Sequence, residues 1–133
     1  MSVGILLITH DMIGTTLLQS ARAILGVCPL PATNLSVSQN SEPEQLLNVA
    51  RQAAQELDSG AGVLVLTDLY GATPSNVASR LQETGGMRVI AGLNLPMLIR
   101  VLNYPDLDLD ELAGKAVSGG RDGVLTLEKT GHA

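Results

Sequence analysis

Two uninterrupted aliphatic runs limit what this chain can fold into. Val3-Gly4-Ile5-Leu6-Leu7-Ile8 and Gly62-Val63-Leu64-Val65-Leu66-Thr67 lack the polar alternation of a half-buried strand. Strands of that kind are covered on both faces, as central strands of parallel sheets are. After each run the period changes. Ile13–Leu25 puts Leu17, Ala21, Ile24 and Leu25 on one side of a helix that Gly26 stops. Beyond the second run, Thr73 reads as an N-cap with Pro74 in the first turn of a helix reaching about Gln82.

The remaining segments fit the same alternation. Ala32–Val37 is a weaker strand. Ser41-Glu42-Pro43-Glu44 reads as a capping box for a helix with Leu46, Ala50, Ala53 and Leu57 at helical spacing. Met87–Ala91 is a fourth strand, and Asn94 precedes a short helix with Pro96 in its first turn. Asp106–Val117 is a further helix, Gly119-Gly120 a turn, and Val124–Leu127 a short last strand suited to an edge. Strands alternating with helices mean α/β architecture, with a doubly wound, mostly parallel, flavodoxin-like sheet. One domain is expected over residues 1–128, with a loose polar tail at 129–133.

Composition narrows the function. With 133 residues, 45% apolar and 16% charged, the chain supports one core and is not disordered. A net charge of −5 gives no footprint for nucleic acid, and two Tyr as the only aromatics give no stacking platform. Cys28 is alone, so no internal disulfide forms. The first apolar run is too short for a signal sequence or a membrane span, so a cytoplasmic protein is expected, meeting a membrane only through a larger complex. There is no Walker loop, no GxGxxG, no zinc-like spacing and no serine on a nucleophile elbow. Neither metal nor cofactor is expected.

Parallel strands end on one edge of their sheet, where ligands and chemistry collect. That edge gathers Thr9-His10-Asp11, Asp68–Thr73 and Gly92-Leu93-Asn94. Its polar side chains are His10, Asp11, Thr67, Asp68, Thr73, Ser75, Asn76 and Asn94. Asp68 is the natural partner of His10: a carboxylate on one imidazole nitrogen fixes the tautomer and leaves the other nitrogen as nucleophile. Helix starts near residues 12 and 74 favour an anion. Phosphoryl transfer through His10 fits best, with hydroxyls such as Thr67, Thr73 and Ser75 around the phosphate. Plainer readings stand beside these. Asp11 reads as a solvated acid favouring the helix dipole, Thr73 and Asn94 as caps, Cys28 as a small apolar side chain, and His132 as having no role. Met12, Ile13, Leu69, Tyr70 and Met97 surround the site, and those left exposed form an apolar collar suited to another protein.

Four segments together resemble the mannose-family enzyme IIA domain of the bacterial sugar phosphotransferase system. They are Ile8-Thr9-His10, the Thr67–Asn76 stretch, Ala91-Gly92-Leu93-Asn94-Leu95-Pro96-Met97-Leu98, and Gly120–Val124. The resemblance runs nearly the whole chain in order. It implies that His10 is phosphorylated by phospho-HPr and passes phosphate to a IIB component. Asp68 would orient the imidazole, and Thr73 would hold a hydroxyl near the phosphate. It also implies a homodimer exchanging the C-terminal strand, which Val124–Leu127 matches. Asp11 departs from the family, where glycine often follows the histidine. No IIB-like region follows the last strand, so a separate IIA subunit is expected. Besides a non-catalytic binding module of the same fold, which would leave His10 unmodified, three alternatives remain. One is a regulatory phosphotransfer protein without sugar transport. Another is a IIA-like component serving dihydroxyacetone kinase. The third is a receiver-like domain phosphorylated on Asp68, which lacks the acidic pair such a domain uses to hold a cation.

Overall fold

The computed structural model describes residues 2–128. The loose tail expected at 129–133, with His132, lies outside them. The elements are β1 (Gly4–His10), α1 (Ile13–Leu25), β2 (Ala32–Val37), α2 (Pro43–Leu57), β3 (Val63–Thr67), α3 (Thr73–Gln82), β4 (Met87–Ala91), α4 (Leu95–Leu102) and α5 (Leu109–Asp122). The strands pair in the order β2-β1-β3-β4, all parallel.

The two aliphatic runs are the central strands, as expected. Ile5, Leu6, Leu7, Ile8, Leu64, Val65 and Leu66 are fully buried. Strand periodicity divides them between two cores. Ile5, Leu7, Leu64 and Leu66 pack with Leu18 and Ala21 of α1, Leu98 and Val101 of α4, and Leu112 and Ala116 of α5. Leu6, Ile8, Val63 and Val65 pack with Leu46, Leu47, Ala50 and Ala54 of α2 and with Val77, Ala78 and Leu81 of α3. Helices therefore cover both faces of the sheet. The chain leaves β1 toward β2 and leaves β3 toward β4, so a crevice opens where the C-terminal ends of β1 and β3 lie side by side.

Several local expectations hold. Gly26 ends α1 at φ +77, a left-handed cap open to glycine, and its N–H reaches Arg22 O. Asn94 caps α4, its Oδ1 accepting from Met97 N at 2.9 Å. Other details differ. Ser41 forms no capping box: its Oγ accepts from Ser38 N at 3.0 Å, and the N-cap of α2 is Glu42 without a side-chain bond. Thr73 is the first residue of α3, after Ala72 as N-cap. The buried stripe of α1 is Gly14, Leu18 and Ala21, and Ile24 is exposed. In α2, Leu47 and Ala54 are buried, while Ala53 and Leu57 are only partly so.

The C-terminal end differs most. Gly119-Gly120 is not a turn; α5 runs through both to Asp122. The two glycines let α4 come close. A Cβ at Gly119 would lie 2.7 Å from Arg100 Cβ, and one at Gly120 would lie 2.8 Å from Met97 Cε. Asp122 then pairs with Arg100 Nη1 at 3.0 Å. Val124–Leu127 forms no strand in the single chain, and Val124, Leu125 and Leu127 are exposed. Val124 N donates to Arg121 O at 3.3 Å, and Leu125, Thr126 and Leu127 make no backbone hydrogen bond with the described residues. Among the described residues, no helix is long and apolar enough to cross a membrane.

Gly114, in the same helix, has open space at its Cβ position. Gly119→Ala should destabilise the fold by about 1–3 kcal/mol through overpacking. Gly114→Ala should stabilise it by about 0.5–1 kcal/mol through helix propensity. Urea midpoints of the two variants check the pair; equal shifts would rule out close α4–α5 contact as the reason for Gly119.

Candidate active site

His10 is the last residue of β1. It shares the parity of Leu6 and Ile8, so it belongs to the α2–α3 side of the sheet. Asp68 follows β3 directly, on the adjacent strand. One carboxylate oxygen of Asp68 holds His10 twice: Oδ2 accepts the backbone N–H at 3.0 Å and lies 2.9 Å from Nδ1. A backbone N–H only donates, so Oδ2 is an acceptor, and its second partner is best a ring N–H as well. That places the proton on Nδ1 and the lone pair on Nε2. The His10 side chain is 39% exposed and that of Asp68 is 9% exposed, so the carboxylate is enclosed while the imidazole stays accessible.

The turn after His10 is fixed from two sides. Asp11 N donates to Val37 O at 2.9 Å. Asp11 adopts φ +44 and is the only non-glycine residue with positive φ among the described residues. Aspartate tolerates that left-handed conformation better than most residues. On the opposite face, Thr9 is fully buried, and its Oγ1 accepts from Gly14 N at 2.8 Å while donating to Asn34 Oδ1 at 3.0 Å. Asn34 Nδ2 reaches Thr15 Oγ1 and Ser36 Oγ, both at 3.1 Å. A Cβ at Gly14 would overlap Asn34 and Thr9, so only glycine fits there.

A cleft of about 280 Å³ opens beside the imidazole, lined by His10, Asp11, Val37, Ser38, Gln39, Ser41, Pro43 and Thr73. The helix starts beside it are those of α2 and α3, not α1 and α3 as expected, and the first turn of α1 already spends Gly14 N on Thr9. Arg80 of α3 binds Glu44 of α2 at 2.7 Å, tying these two helices together. The hydrogen bond from that guanidinium, and then its charge, lower the pKa of the exposed Glu44 carboxyl.

The other anticipated polar residues spread out. Thr73 lines the cleft. Thr67 is fully buried, and its Oγ1 has no partner among the described residues; the same is true of Asp68 Oδ1. Ser75 is buried and accepts from Gly71 N at 3.2 Å, bracing the loop after β3. Asn94 is committed to Met97 N and, through Nδ2, to Gly120 O at 3.1 Å; it lines a different groove with Met97, Gly120 and Val124. Met12, Ile13, Leu69 and Tyr70 are exposed, whereas Met97 is buried core. The β2–α2 loop, with Ser38, Gln39 and Ser41, is absent from the residues expected at the site. Its signal was available, since β2 ends on the same edge as β1. The Thr9–Asn34 link had no sequence signal, because it depends on strand register.

A doubly wound parallel sheet with an aspartate-braced, accessible histidine at its switch point defines a flavodoxin-like α/β domain. Comparison with known proteins gives that class a name. Residues 4–116 match the family model described as the PTS system fructose IIA component. The PTS system mannose-specific EIIAB component of Escherichia coli K12 is 34% identical over 138 residues. That alignment takes in 96% of this chain, and the chain spans 40% of the relative's length. The mannose/sorbose-specific IIA subunit from Enterococcus faecalis superposes with a TM-score of 0.87 at 30% identity, covering 98% of each chain. The EIIA component from Streptococcus agalactiae gives 0.79 at 26% identity, covering 93% of this chain and 96% of that one. The chain belongs to the fructose- and mannose-type IIA family of the sugar phosphotransferase system, whose members are phosphoryl carriers.

Thr9→Val keeps the shape and removes both hydroxyl bonds, leaving Gly14 N and Asn34 Oδ1 without that partner. It should cost about 1–3 kcal/mol. Thr9→Ser should recover most of that loss in thermal and urea unfolding. No difference between Val and Ser would mean that the hydroxyl holds nothing.

Proposed function

We propose that Nε2 of His10 carries the phosphoryl group, taking it from phospho-HPr and passing it to a IIB component. The observation that carries this reading is the double hold of Asp68 Oδ2 on His10 N and Nδ1. With its proton kept at Nδ1, the ring attacks through Nε2. The Nε2 lone pair forms the new N–P bond as the donor histidine's N–P bond breaks, and the departing imidazole keeps that bonding pair. The proton stays on Nδ1, and the carboxylate balances the positive charge that the ring acquires. No metal or cofactor enters these steps. Thr73 and the starts of α2 and α3 lie where phosphate oxygens would sit. Of the other polar residues, Ser75 supports the site by bracing the loop after β3, whereas Thr67 is buried outside the cleft lining and Asn94 serves α4 and a different groove.

Partner proteins would dock on the exposed Met12, Ile13, Leu69 and Tyr70 beside the imidazole. In the same reading the protein works in the cytoplasm and meets a membrane only through a transporter. Two copies exchange Val124–Leu127 across the outer edge of β4, which among the described residues pairs only with β3.

With phosphoenolpyruvate, enzyme I and HPr, the protein should take up a label that is lost in acid and survives base. His10→Ala should take up none, and Asp68→Asn should slow transfer by about 10²-fold or more. Base-labile label, or label that persists in His10→Ala, would exclude His10 as the carrier. Truncation after Gly123 should turn a dimer into a monomer in light scattering; an unchanged dimer would rule out the exchanged segment.

A further inference from the structure

Asp11 is the charged residue that the chemistry above leaves unused. It adjoins His10, is exposed, and lines the same cleft. Its backbone is held in place at N–H by Val37 O and sits at φ +44, a conformation whose strain most side chains avoid. The cleft lining holds no lysine or arginine. The neighbouring charges do not offset Asp11. Asp68 is taken up by His10, Glu42 and Glu44 flank Pro43, and Arg80 is paired with Glu44. A phosphoryl group on Nε2 would bring nearly two negative charges into a cleft that already holds a carboxylate. Like charges that share a cleft repel, and in a partly enclosed cleft they are screened less than in open water.

We propose that Asp11 is a tuning residue for the carrier step. Its carboxylate destabilises the phosphorylated form, raises the tendency of His10 to give phosphate away, and leaves charge neutralisation to a cationic group on the docked partner. The inference rests on His10 being the phosphorylated residue. The transfer is the same N–P exchange described above. The carboxylate forms and breaks no bond; it shifts the equilibrium between phosphate on the donor and phosphate on His10.

Asp11→Asn separates charge from shape, since asparagine is isosteric and also tolerates the left-handed conformation. Asp11→Gly removes charge and strain together, and Asp11→Glu keeps the charge. Each full-length variant is mixed with phospho-HPr, and the phosphorylated fraction at equilibrium is read on a phosphate-affinity gel at low and at about 1 M salt. Asn and Gly should both shift the equilibrium toward phospho-His10 by about three- to tenfold at low salt, an effect of this size following from a screened charge pair. Glu should stay near wild type, and high salt should shrink the difference. An Asn variant indistinguishable from wild type at low salt would overturn the proposal. So would a Gly-only shift, which would assign the effect to the backbone. Unlabelled wild type would instead count against His10 itself, so the two failures are distinguishable. Melting temperatures of the variants confirm that each is folded.

Discussion

The site depends on the pairing of β1 with β3. Their register sets Ile8 opposite Thr67, so the first residues past the shared ladder include His10 on one strand and Asp68 on the other. The pairing is enforced by burial on both faces. Each fully buried Leu, Ile or Val contributes about 1.5–3 kcal/mol relative to exposure, and seven such side chains lie on these two strands. A slip of one residue would exchange the two cores and carry His10 to the α1 side, away from its aspartate. The hydrophobic register thus aims the imidazole before any polar contact is made.

Asp68 is held at some cost. Its Oδ1 is buried without a partner among the described residues, a situation worth about 1–3 kcal/mol of destabilisation. The other oxygen is used twice. An acid placed this way stabilises the fold less than it orders the imidazole. The exposed Glu44–Arg80 pair is different: solvent screens it, and it links two helices whose starts flank the cleft.

What could be read in the sequence follows from which forces are local. The aliphatic runs at Val3–Ile8 and Gly62–Thr67 announce central strands because burial on both faces leaves no polar alternation. His10 and Asp68 could be paired because parallel strands share an edge. Glycine was ambiguous. At Gly26 it serves a left-handed cap, whereas at Gly119 and Gly120 it admits a neighbouring helix, and composition does not separate the two uses. Ser41 and Thr73 had the right chemistry for capping, but tertiary contacts and the position of the helix start overrode it. The Thr9–Asn34 bond joins residues that become neighbours only after β2 lies beside β1.

One oxygen shared between the backbone and the ring of His10 ties side-chain chemistry to the main chain. Whatever changes the charge or tilt of the imidazole changes its competition for Asp68 Oδ2, and the amide at the end of β1 registers the change directly. That amide belongs to a central strand, packed on both faces and slow to yield. Under the proposed function, loaded and empty forms of the ring would therefore differ in the polarisation of a rigid backbone, and a docking protein would meet that difference as well as the group on the ring.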